Sequence, residues 1–304
     1  MSRIPIARAA AASLCAAAIA ASAPATTYAQ GVRTAANAPP PKAQLRQGRA
    51  KRIINGEDAR RGAIPWQAAL ISASQPGDTR SRWQRQFCGG AFITRNIVLT
   101  AAHCVTNMFG NADGFRVGHG DRDLNSGGMR EYEVTDIVMH PRYRAQNADY
   151  DFAILKVSGR VPASDTIDIL TPAENRRVTV DDVAVVSGWG TTNEQTGETA
   201  QRLQRLEVLI KSRSDCNDAD SYNGAITSRM LCAGFGQGGK DSCFGDSGGP
   251  LTVQVNGRAR LAGVVSWGGD GTGGGMCAVA NKYGVYGRII AVRQWVRDTI
   301  AMLR

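Results

Sequence analysis

The sequence of 304 residues predicts an all-β protein of antiparallel strands, braced by disulfides and closed by a C-terminal helix. Three signals carry that prediction. Short segments of alternating or β-branched residues recur between Gly-rich and polar clusters, a pattern of sandwiches and barrels rather than of βαβ units. In chain order they are Ile97-Val98-Leu99, Val183 to Val186, Leu203 to Ile210, Leu251 to Val255 and Leu261 to Trp267. Seven cysteines become an even six once Cys15, inside an N-terminal apolar run, is set aside, as expected of a disulfide framework in an exported chain. At the end, Val292, Val296, Ile300 and Leu303 repeat at three- and four-residue spacing, as on one face of a helix.

The N-terminal region reads as two removable segments. Residues 1–29 carry Arg3 and Arg8, an Ala-rich run with Leu14 and Ile19, and small residues toward Thr27-Tyr28-Ala29, the pattern of a secretory signal cut near Ala29. Pro24 and the polar residues after it keep the run below the roughly 20 apolar residues of a membrane span. Residues 30–52, with Pro39-Pro40-Pro41, Gly48 and scattered Ala, read as an unstructured pro-segment. The net charge of +10 first suggests a nucleic-acid or membrane-surface binder. Its position removes that reading: residues 1–52 hold eight Lys or Arg and no Asp or Glu, which leaves 28 basic against 26 acidic groups in residues 53–304. The expected location is extracellular or periplasmic, with no nucleic-acid partner.

The chemistry is concentrated in three motifs. Asp241-Ser242-Cys243-Phe244-Gly245-Asp246-Ser247-Gly248-Gly249-Pro250 sets a serine between glycines that leave its hydroxyl and the neighbouring N–H groups uncovered. Upstream lie Thr100-Ala101-Ala102-His103-Cys104 and Asp149-Tyr150-Asp151-Phe152-Ala153-Ile154-Leu155. Gly245, Ser247 and Gly249 also satisfy the Gly-x-Ser-x-Gly pattern of α/β-hydrolases, but those enzymes place the histidine after the serine. The only histidines here, His103, His119 and His140, all precede Ser247. A serine in a glycine loop is usually a turn residue and an aspartate before an apolar run usually faces solvent; the combination in the order His, Asp, Ser argues against both.

These motifs resemble the chymotrypsin and trypsin family of serine proteases, whose triad is the general template for this chemistry. The resemblance covers about residues 53–304 and implies two six-stranded antiparallel β-barrels with a C-terminal helix. It assigns Ser247 as nucleophile, His103 as base and Asp151 as the carboxylate that orients it; Asp149, two residues earlier, is the local competitor. It places the oxyanion-binding N–H groups on Gly245 and Ser247. Asp241 becomes the floor of the specificity pocket, with Ser242 beside it, Gly268 and Gly284 as open walls, and Ser266-Trp267-Gly268 as the strand that pairs with substrate. The implied preference is for Arg or Lys before the scissile bond.

Arg49-Ala50-Lys51-Arg52-Ile53-Ile54-Asn55-Gly56 resembles a zymogen junction, cut after Arg52 so that the new ammonium of Ile53 pairs with Asp246. Cysteine number alone allows 15 pairings; the resemblance implies Cys88–Cys104, Cys216–Cys232 and Cys243–Cys277. Metal binding is the alternative use of these residues, but they lack paired C-x-x-C spacing, and neither metal nor cofactor is expected. The Gly269 to Met276 rim is longer than usual in the family, and the Arg-rich stretch Ser74 to Gln86 is expected to form an extended surface loop. His119 and Met129 stand near the places of a calcium-ligating pair found in some relatives, so calcium is not expected. Tyr283 before Gly284 resembles relatives that bind sodium beside the pocket. The expected partners of this monomer are protein or peptide substrates and proteinaceous protease inhibitors. The rival reading is a binding or adhesion protein that keeps the fold without chemistry, although no triad residue or glycine of the motifs is replaced.

Overall fold

The computed structural model describes residues 53–108, 111–269 and 276–304. The expected secretory signal and pro-segment, Arg52 of the junction, and most of the Gly269 to Met276 rim lie outside them. The strands are β1 (Glu57–Asp58), β2 (Gln67–Ser72), β3 (Gln86–Thr94), β4 (Ile97–Thr100), β5 (Phe115–His119), β6 (Arg130–Met139), β7 (Ala153–Val157), β8 (Val183–Gly188), β9 (Thr191–Asn193), β10 (Glu198–Thr199), β11 (Gln204–Lys211), β12 (Met230–Gly234), β13 (Pro250–Val255), β14 (Arg258–Trp267) and β15 (Gly284–Arg288). Four helices accompany them: α1 (Arg82–Arg85), α2 (Pro172–Asn175), α3 (Arg213–Cys216) and α4 (Ile289–Met302).

Strands β2-β3-β4-β7-β6-β5 close one six-stranded barrel. The second runs β11-β12-β15-β14-β13-β8 and closes through β8–β11 pairing, with the two-residue β1 added at β11. All pairings between these strands are antiparallel, as predicted. The alternation in β11 shows why: Gln204, Leu206, Val208 and Ile210 are buried, and the residues between them are half-buried, so one face fills the barrel while the other meets its surroundings. The barrels touch through buried groups. Ser187 Oγ on β8 donates to Gln67 Oε1 on β2 at 2.6 Å, and the fully buried Phe152 abuts β15, where a Cβ on Gly287 would lie 2.6 Å from its ring.

One local expectation holds and a second is revised in part. The predicted helix is α4: Val292 and Val296 are buried, Ile300 and Leu303 pack half-buried against the same core, and Ile289 and Thr299 extend the buried face. The buried face also reaches Ile289 at the start of α4, which follows β15 without a connecting residue. Residues 74–80 form the expected, mostly exposed loop, but the rest of the stretch Ser74 to Gln86 does not. Ser81 and Gln84 form a reciprocal capping box that nucleates α1. Arg85 is buried and donates to Ser72 O at 2.5 Å, while Arg82 reaches Glu131, Leu124 O and Ser126 O. Arg82 and Arg85 are spent on the protein's own carbonyls and on Glu131, while Arg80 stays exposed and pairs with Asp78.

Phe152→Ala should lower the unfolding free energy by about 3–5 kcal/mol, because it empties a fully buried site between the barrels. The exposed Val180, changed to Ala, should stay within about 0.5 kcal/mol. Urea denaturation of both variants checks this; equal losses would show that Phe152 does not join the barrels.

Candidate active site

Register alone brings the first two motifs together. Thr100 at the end of β4 pairs with Ala153 at the start of β7, so His103, three residues later, faces Asp151, two residues earlier. The Cys88–Cys104 disulfide ties the residue after His103 to β3. Asp151 is almost fully buried and accepts three hydrogen bonds: from the His103 backbone N–H at 2.9 Å, from His103 Nδ1 at 2.7 Å, and from Ser266 Oγ at 2.5 Å. Burial pulls the His103 pKa down, but the hydrogen bond and charge of Asp151 outweigh it, so the imidazole sits above its ordinary value of 6.5. The competitor Asp149 is occupied elsewhere. Arg229 holds both its oxygens, at 3.1 and 2.5 Å, and Thr227 Oγ1 donates at 2.9 Å.

Ser266, expected at the substrate-pairing strand, lies at a register shift between Val265 and Trp267. Such a bulge re-aims a side chain, and here the hydroxyl is committed to Asp151 rather than to the pocket.

The Ser247 loop is stitched to both barrels. Gly89 N donates to Ser247 O at 2.7 Å from β3, and Gly248 N to Val265 O at 2.8 Å on β14. Gly248 has φ +80°, and a Cβ there would lie 2.5 Å from Gly89 O, so only glycine fits. Gly245 has φ +93°. The carbonyl of Phe244 accepts from Thr191 N at 2.7 Å, and in a trans peptide the Gly245 N–H must then point the opposite way. Among the described residues neither Gly245 N nor Ser247 N donates to any acceptor. Ser247 and His103 line one cleft, but no hydrogen bond joins Ser247 Oγ to His103 Nε2, which lies 3.8 Å from Cys104 Sγ.

That cleft measures about 620 Å³ and runs from Phe87, Cys88 and His103 past Ser247 to Asp241. Asp241 is 2% exposed. Burial, with the charges of Asp246 and Glu194 against the hydrogen bonds from Ser242, pushes its carboxyl up to about 8. A Cβ on Gly284 would lie 2.6 Å from Asp241 Oδ1, and one on Gly268 would lie 3.7 Å from Oδ2. The Gly284 wall therefore has no room for a side chain, whereas a Cβ on Gly268 would meet its neighbours at ordinary contact distance. Trp267 and Gly268 line the same pocket, and Ser242 N donates to Asp241 at 2.8 Å.

Asp246 is fully buried. Its oxygens accept from Gly190 N at 2.8 Å and Cys243 N at 2.9 Å, and no Lys, Arg or His among the described residues pairs with it. Burial outweighs those two bonds and pushes the carboxyl up to about 6. Ile53 is also fully buried, inside the second barrel's core, and Ile54 bridges to Asp241.

Several functional contacts carried no motif that the sequence reading used. Gly188 and Gly190 flank Trp189 and leave the space that Asp246 fills; the Gly-Trp-Gly triplet was the available signal. Thr191 N on Phe244 O, Gln86 on Gly245 O and Glu194 on Cys277 N had none, because each joins residues distant in the chain. The structure joins Cys88 to Cys104, Cys216 to Cys232 and Cys243 to Cys277. The two clusters of metal-type side chains among the described residues, Cys88-His103-Cys104 and Glu194-Cys243-Cys277, both draw on disulfide sulfurs, which lack the thiolate a metal needs.

No helix among the described residues is long and apolar enough to cross a membrane. Residues 53–296 match the family model described as Trypsin. The chain is 37% identical over 254 residues to the vitellin-degrading protease of Bombyx mori, covering 83% of this chain and 87% of that protein. It is 36% identical over 251 residues to trypsin-3 of Salmo salar, covering 82% and 93%. Transmembrane protease serine 5 of Homo sapiens is 35% identical over 255 residues, and there the chain spans about half, 52%, of the relative's length. Similarity of this extent, laid over two closed barrels and the His103–Asp151 pair, means that the chain belongs to the trypsin family of serine endopeptidases.

Proposed function

We propose that this chain is a secreted zymogen whose active form hydrolyses peptide bonds after Arg or Lys through a Ser247 acyl-enzyme. The observation that carries the specificity is the buried Asp241 carboxylate at the base of a pocket walled by Gly268 and Gly284. A long cationic side chain reaching that floor replaces the solvation the carboxylate has lost.

In this reading neutral His103 takes the Ser247 proton as Oγ attacks the carbonyl carbon, and the unpaired N–H groups of Gly245 and Ser247 receive the developing oxyanion. The imidazolium, stabilised by Asp151, then protonates the leaving amine, and water repeats the sequence on the ester. Catalytic hydrogen bonds are often long or misaligned in unliganded enzymes, so the resting place of His103 Nε2 beside Cys104 is compatible with this role. The family resemblance also supports protein inhibitors as partners. Covalent labelling of Ser247 by an organophosphonate separates this reading from a non-catalytic binding protein, because only a working triad reacts.

Activation by a cut after Arg52 is supported by the buried Asp246, which has no cation among the described residues, and by the burial of Ile53. Arg52→Gln should block processing and activity under tryptic activation. A carboxyl raised to about 6 binds its proton more tightly folded than unfolded, so precursor stability should fall as pH rises from about 4 through about 6. In the processed enzyme the Ile53 ammonium should remove the Asp246 share of that slope, leaving in both forms the slope of the same sign that Asp241, raised to about 8, contributes. Melting curves of both forms across this window, with N-terminal sequencing of the active form, test it; full activity in protein that begins upstream of Ile53 would sink the proposal.

Alanine at His103, at Ser247 or at both should cost similar factors in kcat, because the pair acts as a unit. Activity needs neutral His103, so kcat/KM should rise with pH along an acid limb centred above 6.5. Multiplicative losses, or a limb below that value, would assign the proton to another group.

Asp241→Ser should cut kcat/KM for Arg substrates by roughly 10² to 10⁴, the equivalent of about 3–5 kcal/mol for a buried charge left without its partner. Phe and Leu substrates should change far less. An unmutated enzyme that hydrolyses Phe or Leu substrates as well as Arg ones would falsify the assignment.

A further inference from the structure

We infer that Gln86 is a positioning residue for the oxyanion-binding turn, fixing from outside the reacting centre the peptide that follows Gly245 and so limiting rotation about Gly245 itself. The inference rests on the endopeptidase reading above. It also gives a role to the Arg-rich stretch Ser74 to Gln86.

Gln86 Nε2 donates to Gly245 O at 2.9 Å and to Cys88 O at 2.9 Å. Two carbonyls on one side of a primary amide fix which way the amide faces, since only the NH2 end donates and a flip would set oxygen against oxygen. No other described group donates to Gly245 O. The peptide before Gly245 is held separately, by Thr191 N on Phe244 O at 2.7 Å. Both peptide planes that meet at Gly245 Cα are thus restrained, one by the first barrel and one by the second. A glycine at φ +93° has no side chain to limit its rotation, so these two hydrogen bonds, with Asp246 N donating to Cys243 O at 3.0 Å across the second plane, supply what its sequence cannot.

The local architecture aims Gln86 at this task. It caps α1, its N–H donating to Trp83 O, and it begins β3. Its strand pairing shifts there: Leu70 faces Cys88 and Ile71 faces Gln86, so Phe87 is an extra residue in β3. A bulge of this kind turns a side chain away from the regular pleat. Helix α1 is in turn fixed by Arg82 and Arg85 on buried or half-buried carbonyls. Deleting the amide leaves Gly245 O without its partner while Asp241, His103 and Asp151 keep all their contacts.

The test uses processed enzyme carrying Gln86→Met, which keeps the length and loses both donors, and Gln86→Glu, which turns acceptors toward two carbonyls. Removing an oxyanion donor outright costs about 10²–10³ in kcat, so loosening one should cost at least about tenfold. The Gln86→Met variant should show that loss in kcat with KM held within about twofold, and Gln86→Glu a larger one. Affinity for an Arg-type peptidyl boronate, whose tetrahedral oxygen needs the turn, should fall in step with kcat/KM. Affinity for benzamidine, which needs only Asp241, should stay constant. Phosphonate titration normalises each rate to folded enzyme, and Gln86→Asn, too short to span to Gly245 O, replaces Gln86→Met if the latter does not accumulate. Unchanged kcat, or equal losses of boronate and benzamidine affinity, overturns the inference while leaving the endopeptidase reading intact. A wild-type enzyme that neither cleaves the amide nor binds the boronate overturns both.

Discussion

The buried carboxylate of Asp246 is the constraint around which the catalytic end of the molecule is built. A fully buried charge needs hydrogen bonds or a counter-charge, and Asp246 takes the N–H groups of Gly190 and Cys243. Those two bonds connect the loop after β8 to the turn that carries Gly245 and Ser247. The demand propagates outward. Gly188 and Gly190 lack side chains because the carboxylate occupies that volume, and Thr191, next in line, is set to hold Phe244 O. A residue adjacent to Ser247 therefore organises the turn that carries the Gly245 and Ser247 N–H groups.

The proposed chemistry is divided between two barrels, so their relative placement decides whether the site exists. His103 and Asp151 come from adjacent ends of β4 and β7, and Ser247 from the loop before β13. Contacts that span the divide are polar and buried or half-buried: Ser266 on Asp151, Ser187 on Gln67, and Gln86 on Gly245. Buried hydrogen bonds are directional, and losing one partner strands the other at a cost of about 1–3 kcal/mol. Such bonds specify alignment more sharply than the apolar packing of Phe152 against β15, which tolerates small shifts.

The pocket carries the opposite electrostatic design from the triad. Asp151 is surrounded by three donors, whereas Asp241 has Ser242 alone and lies near the carboxylates of Asp246 and Glu194. The first arrangement stabilises a carboxylate at rest, and the second leaves one wanting a cation. Selectivity in the proposed reaction comes from that unmet demand.

The sequence by itself determined the strand segments, the terminal helix and the three motifs, because these depend on alternation, periodicity and residues contiguous in the chain. It also favoured Asp151 over Asp149 by position, and the Arg229 clamp on Asp149 supplies the physical reason. Tertiary structure decided the rest. Ser266 turned to Asp151 through a bulge, Arg82 and Arg85 folded part of an expected loop into a docked helix, and Gln86 reached a carbonyl 159 positions away. Each of these depends on register between distant strands, where a one-residue shift sends a side chain to the other face, and no local pattern of residues encodes that shift.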